Sequence, residues 1–177
     1  MTSTFIGIDP GKSGAIAVLR TTELGRSLVV FDCPIAKGGK KAKDSYDAAG
    51  MAKILSDAKQ SPNVHCIIES VHSMPGQGVS STFDFGKGFG MWLGILATLK
   101  IPYTLVSPVR WKKVMLSDVK QDKGASRIRA KQLFPDEAEF FDRVKDDGRA
   151  EASMMALYGR QAQGALAPQV GKVDSNS

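Results

Sequence analysis

Four carboxylates stand where a charge serves folding poorly and a metal site well. Asp9 closes the apolar run Thr4-Phe5-Ile6-Gly7-Ile8, and Glu69 closes Cys66-Ile67-Ile68. Asp147 and Glu151 lie four residues apart at the start of a stretch, 148–159, that reads as a helix, so both point to one helix face. Carboxylates at strand ends sit at a sheet rim, where ligands of mixed sheets gather. Four such charges held together repel one another unless cations neutralise them. Two divalent ions about 3.5–4 Å apart would do so, and would also activate water and stabilise the leaving oxygen at a phosphodiester. Mg²⁺ suits a few carboxylates completed by phosphate oxygens, with Mn²⁺ as its substitute.

Each acid also has a plainer reading. Asp9 before Pro10-Gly11 forms a turn, Glu69 ends an edge strand, Asp147 caps a helix and Glu151 decorates its exposed side. Their joint occurrence favours the metal site. Asp142 and Asp146 read as solvated loop acids, and His72 as a loop histidine. There is no Ser-His-Asp order and no zinc-ligand spacing, and Gly11-Lys12-Ser13 lacks the glycine that opens a phosphate-cradling Walker loop.

The net charge of the 177 residues is +6, and residues 107–131 carry all of it. That stretch holds Arg110, Lys112, Lys113, Lys120, Lys123, Arg127, Arg129 and Lys131 against only Asp118 and Asp122. Clustered Lys and Arg recruit phosphates through counterion release, so a polyanionic partner follows, with a solvated helix surface as the competing reading. Hydrophobic residues make up 42%, an ordinary globular composition. No apolar run reaches the roughly 20 residues that span a bilayer, and the N-terminus does not read as a secretory signal. Cys33 and Cys66 are far apart in apolar strand-like contexts and read as reduced core thiols.

The elements that must position these groups follow from periodicity. Strands are expected at about 4–9, 14–20 and 27–33, joined so tightly that they must be antiparallel. Asp9-Pro10-Gly11-Lys12-Ser13-Gly14 is the first turn, with Pro and two Gly supplying special backbone angles. A basic loop, 37–43, precedes a helix capped by Asp44 or Ser45, with Ala49, Ala52, Leu55 and Ala58 inside. A fourth strand at 64–69 leads to a long helix, 80–99, in which Gly86, Gly90 and Gly94 leave one face bare for its own sheet, a second subunit or DNA. A fifth strand at 103–107, a short helix from Pro108, a helix at 123–133 and a last helix at about 147–163 complete one domain, 1–163. Residues 164–177 read as a disordered tail. The pattern predicts an α/β fold: a mixed five-stranded sheet with helices on both faces. It suits the ribonuclease H-like fold, and its opening also suits actin-like ATPases.

Several blocks in one order are similar to a known family. Gly7-Ile8-Asp9-Pro10-Gly11-x-x-Gly14, Ile67-Ile68-Glu69-x-Val71, Trp111-Lys112-Lys113, Asp122-Lys123-x-Ala125-Ser126-Arg127, Leu133-Phe134-Pro135 and Asp147-Gly148-Arg149-Ala150-Glu151-Ala152 together resemble RuvC-type Holliday junction resolvases. The match is strongest to the branch shared by chloroplast resolvases and phage or bacterial relatives, and it covers about residues 5–162. The resemblance implies a homodimeric endonuclease of DNA recombination and repair. It would bind four-way junctions and make paired, symmetry-related nicks with Mg²⁺ or Mn²⁺, two ions per site, leaving 5′-phosphate ends. Asp9, Glu69, Asp147 and Glu151 match the catalytic carboxylates, and Lys123 matches a basic residue near the scissile phosphate. The better-known bacterial pattern ends in two Asp three apart, whereas here the spacing is four and the second acid is Glu. Arg110, Lys112, Lys113, Lys120, Lys123 and Arg127 would hold DNA backbone. The expected compartment is the cytoplasm of a bacterial or phage-infected cell, or an organelle. Two rival readings stand beside this one: a catalytically silent or broad branched-DNA-binding module, and an ATPase or sugar kinase, which needs a second similar domain.

Overall fold

A computed structural model describes residues 2–39, 43–71, 76, 78–119 and 122–163. Lys120, His72 and the 164–177 tail lie outside the described residues. The chain runs β1 (Ser3–Ile8), β2 (Ala15–Thr22), β3 (Gly25–Asp32), β4 (Ile35–Ala36), β5 (Ser45–Tyr46), α1 (Ala48–Ala58), β6 (Asn63–Glu69), α2 (Val79–Thr98), β7 (Tyr103–Val106), α3 (Pro108–Met115), α4 (Ala125–Leu133), a 3-10 turn (Pro135–Phe141) and α5 (Asp147–Gln161). The main sheet has five strands in the order β3-β2-β1-β6-β7. β1 pairs antiparallel with β2 and parallel with β6, and β6 pairs parallel with β7. The mixed α/β architecture is therefore the expected one.

The start of α1 differs from expectation. Ser45 does not open the helix but pairs, with Tyr46, against Ile35 and Ala36. Asp47 is the cap instead, its Oδ1 accepting the Gly50 N–H at 3.1 Å. Met51, Leu55 and Ala58 face inward, while Ala49 is exposed.

Strand alternation sorts the core into two layers and decides where the acids point. Ile6 and Ile8 of β1 and Cys66 and Ile68 of β6 meet Met51, Leu55, Trp92 and Leu96 of α1 and α2. The intervening Phe5 and Ile67 meet Trp111, Phe134, Phe141 and the inner residues of α5. Side chains two apart share a face. Asp9 follows Phe5 and Gly7, and Glu69 follows Ile67, so both acids belong to the α5 face. Ile8 is level with Ile68 in the parallel ladder, which sets the two strand ends side by side.

α5 reaches that face because its neighbours are small. A Cβ on Gly7 would lie 1.9 Å from the Ala152 carbonyl oxygen and 2.6 Å from the Ala156 nitrogen. One on Gly148 would lie 2.6 Å from the Ser13 carbonyl oxygen and 3.1 Å from Asp9 Oδ2. The helix thus lies backbone to backbone on β1, with its first turn on the loop after Asp9. At the far edge, Glu137 Oε1 accepts the Leu28 N–H of β3 at 3.1 Å, taking up a ladder donor that an edge strand would otherwise leave open.

The expectation of a solvated Asp146 is corrected. Its side chain is 1% exposed and accepts from the Arg143 N–H at 2.8 Å and Nε at 2.9 Å, with Arg149 Nε at 3.7 Å. Arg149 and Arg143 both continue to Asp32 at the end of β3, at 2.6 and 3.5 Å. Asp142, in contrast, is largely exposed and pairs with Lys131. Burial pushes the Asp146 carboxyl up, but the Arg143 hydrogen bonds outweigh it and hold the group below the usual 3.8; the Arg149 hydrogen bond does the same for Asp32. Acids depressed in the folded state stabilise it above their ordinary pKa, and that contribution is lost as pH falls through the folded values. Asp146→Ala is expected to lower unfolding stability by about 2 kcal/mol at pH 7. The loss should shrink below pH 4, measured as urea midpoints at both pH values. An unchanged midpoint at pH 7 would refute the structural role of this acid.

Candidate metal centre

Asp9 leaves β1 and is held by its own loop. Its backbone N–H donates to the Ala15 carbonyl at 3.0 Å, the Gly14 N–H donates to the Gly11 carbonyl at 2.9 Å, and the Gly11 N–H donates to Asp9 Oδ1 at 3.3 Å. Neither glycine takes up a left-handed angle. Gly14 is needed for a different reason: a Cβ there would sit 2.2 Å from the Asp9 carbonyl oxygen and 2.7 Å from its carboxyl carbon. The loop therefore wraps its own acid.

Each of the other acids is held by a basic or donor group from the far side of the cleft. Glu69, 9% exposed, accepts from Trp111 Nε1 at 2.9 Å. Glu151 Oε1 accepts from Ser126 Oγ at 3.1 Å and faces Lys112 Nζ at 3.0 Å. Asp147, half exposed at the start of α5, pairs with Arg127 Nε at 3.0 Å. The Lys112 ammonium also lies 5.1 Å above the Trp111 ring. Neither Trp111 nor Ser126 is expected from the sequence to hold an acid. Both lie within the sequence blocks of the resemblance, but nothing in their spacing reveals which acid they touch.

The electrostatics tie three of the acids together. Burial, then repulsion from Glu151 and Glu69, pushes the Asp9 carboxyl up from 3.8 to about 7, against the opposing Gly11 hydrogen bond and Lys112. Burial and Glu151 likewise raise Glu69, against the Trp111 hydrogen bond and Lys112. A raised carboxyl stabilises the fold below its ordinary pKa, and the contribution is lost as pH rises through the folded value. In chelator, the melting temperature is therefore expected to fall between pH 5 and pH 8, and Asp9→Asn to melt higher than the parent at pH 8. Melts of both proteins in EDTA check this; an Asn variant that melts lower would contradict it.

Among the described residues, no three acids already lie within reach of a single ion. The donor set nonetheless fits a hard divalent cation. Hard cations take carboxylate oxygens, and burial with mutual repulsion raises Asp9 and Glu69, an imbalance that a cation relieves. Lys112 and Arg127 add counter-charge beside Glu151 and Asp147. Asp9, Glu69, Asp147 and Glu151 are the residues that would hold the metal.

The surroundings are open and basic. A cleft of about 480 Å³ runs between the Asp9 loop and Asp147, Gly148 and Glu151. A second, of about 290 Å³, shares Asp147 and Glu151 and adds Lys112, Lys123 and Ser126. Beside them, a groove of about 740 Å³ is lined by Val109, Lys112, Lys113 and Leu116. Arg110 and Lys113 are exposed on α3. The basic stretch is partly neutralised by the fold, since Lys112, Arg127, Arg129 and Lys131 each pair with an acid. Lys12 lines the cleft beside the Asp9 loop, and its ammonium pairs with Asp84, donates to the Asp44 carbonyl at 2.6 Å and lies 5.5 Å above the Tyr46 ring.

No protein-family model and no curated protein sequence matches the chain. Solved structures do. The chain is similar to Thermus thermophilus RuvC, with 16% identity over 96% of this chain and 100% of that one, at a TM-score of 0.59. It is similar to T. thermophilus RuvC in complex with a Holliday junction substrate, with 15% identity over 94% and 99% of the chains and a TM-score of 0.58. The yeast mitochondrial Holliday junction resolvase Ydc2 is a third likeness, with 17% identity over 93% of this chain and 85% of that one and a TM-score of 0.54. At these identities the likeness establishes the fold: a ribonuclease H-like mixed sheet with helices. No helix among the described residues is long and apolar enough to cross a membrane.

Proposed function

We propose that this chain is a metal-dependent endonuclease that resolves four-way DNA junctions, in the branch shared by chloroplast resolvases and phage or bacterial relatives. The observation that carries the reading is the convergence of Asp9, Glu69 and Glu151 on the α5 face, close enough for mutual repulsion and bordered by Lys112 and Lys123. Among the solved structures similar to this fold, Ydc2 is named a Holliday junction resolvase and T. thermophilus RuvC is in complex with a Holliday junction substrate, which supports the substrate class.

Mg²⁺ or Mn²⁺, two ions held by Asp9, Glu69, Asp147 and Glu151, would supply an activated water and stabilisation of the leaving oxygen. Around that chemistry, Trp111 and Ser126 each occupy one carboxylate oxygen and fix its orientation. Lys123 lines the cleft opposite Asp147 and Glu151, where an ammonium counters the charge that builds on an attacked phosphodiester. Arg110 and Lys113 hold backbone phosphates without reading bases. Water attack then breaks the P–O3′ bond, leaving a 5′-phosphate and a 3′-hydroxyl.

Paired nicks need two sites related by a dyad, and α2 presents a surface for the second copy. Gly88 presses on the Tyr46 ring, whereas Cβ atoms on Gly86, Gly90 and Gly94 would meet open space, so the bare face turns away from the sheet. Phe83, 73% exposed, stands beside it. Light scattering should report a dimer, and Gly90→Glu a monomer; a monomeric parent, free and on a junction, would refute the dimer.

The deciding experiment is a nicking assay on four-way, Y-shaped and linear duplex DNA with Mg²⁺ and with Mn²⁺. Metal-dependent paired nicks confined to the four-way substrate are expected. Nicking of the Y-shaped substrate as readily as the four-way one, with linear duplex spared, would make it a broad branched-DNA nuclease. Tight binding with no nicking would make it a silent binding module.

A further inference from the structure

We infer that Trp111 is a positioning residue that aims Glu69 at the metal. The inference rests on the metal reading above and adds a residue that touches neither the ion nor DNA.

Trp111 sits at the fourth position of α3, after Pro108 at the helix start, and its ring is fully buried beneath α5 beside Met115 and Phe134. The indole N–H donates to Glu69 Oε1 at 2.9 Å. A ring packed on all sides cannot swing, so its N–H is a fixed point to which the carboxylate must turn. Glu ending a strand otherwise has three rotatable bonds and no reason to choose one orientation. The indole takes one oxygen and leaves Oε2 for a ligand, the arrangement by which outer groups orient metal-binding side chains. The next residue, Lys112, reaches Glu151, so one turn of α3 governs acids from β6 and α5. The protein contains a built-in comparison. Trp92 is equally buried, yet its Nε1 has no hydrogen-bond partner among the described residues. Bulk in the core is therefore supplied by both tryptophans, and the carboxylate bond by Trp111 alone.

The test uses the full chain. Its two tryptophans give two indole N–H resonances in a ¹H–¹⁵N spectrum, assigned by Trp111→Phe. Adding Mg²⁺ should move the Trp111 signal and leave Trp92 in place, and Glu69→Gln should move the same signal without metal. Mn²⁺ binding followed by electron paramagnetic resonance should weaken about 10–100-fold in Trp111→Phe. Trp92→Phe should bind as the parent does. Unaltered Mn²⁺ affinity in Trp111→Phe overturns the inference. If that variant does not fold, a parent Trp111 signal unmoved by saturating Mg²⁺ and by Glu69→Gln overturns it instead. A parent that binds no Mn²⁺ at all defeats the metal reading and this inference with it, and is told apart because the parent itself is silent.

Discussion

Asp9→Asn is expected to abolish metal-dependent nicking of four-way junctions, by on the order of 10³-fold or more, while junction affinity stays within a few-fold of the parent. The substitution is nearly isosteric, and its side-chain oxygen can still accept the Gly11 N–H that shapes the loop. What it removes is the charge nearest the middle of the site, on the strand between β2 and β6. The Lys and Arg side chains that would hold backbone are untouched, and losing one negative charge near them favours DNA if anything. Single-turnover cleavage and gel-shift titration separate the two effects. A variant that nicks at the parent rate would sink the catalytic assignment of Asp9.

Gly7→Ala is expected to be the most damaging single methyl in the molecule. The added carbon would meet two backbone atoms of α5, at 1.9 and 2.6 Å, and backbone cannot rotate aside. A retreat of α5 as a body would open the close contacts of Gly148 with the Ser13 carbonyl and of Gly159 with Ile67. Overpacking ordinarily costs about 1–3 kcal/mol, and a backbone collision at the centre of the sheet belongs at or above the top of that range. Set against a typical total of about 5–15 kcal/mol, this is a large fraction. Gly94→Ala supplies the contrast: with open space at its Cβ within the protomer, it should be neutral or gain up to about 1 kcal/mol from helix propensity when unfolded at a concentration low enough to keep the chain monomeric. Urea unfolding of the three proteins measures both. Equal midpoints for Gly7→Ala and the parent would refute the close packing of α5 on β1.

The framework was legible because it rests on local patterns. Apolar runs ending at Asp9 and Glu69 became the ends of β1 and β6, and the tight first turns forced the antiparallel opening. What stayed hidden depends on contacts distant in sequence. Asp146 and Asp147 are adjacent and chemically identical, yet one is buried and the other half exposed. Only the arginines at 143 and 149, converging on Asp32, decide which turns inward. Trp111 shows nothing in sequence of its bond to Glu69, 42 residues away. The two-residue strands β4 and β5 were too short to carry any periodicity. The glycines of the first turn were legible as special, but for an angle they do not adopt; Gly14 answers to the bulk of Asp9 instead.

The level pairing of Ile8 with Ile68 has a consequence for how these strands can change. Side chains alternate faces, so which layer receives a carboxylate is a matter of odd or even position. Substitution leaves that parity alone. Deleting or inserting one residue between Phe5 and Asp9 would reverse it, sending the acid toward α1 and α2 while Glu69 stayed behind. The two strands behave like text in a reading frame: tolerant of altered letters, and intolerant of a change in their number.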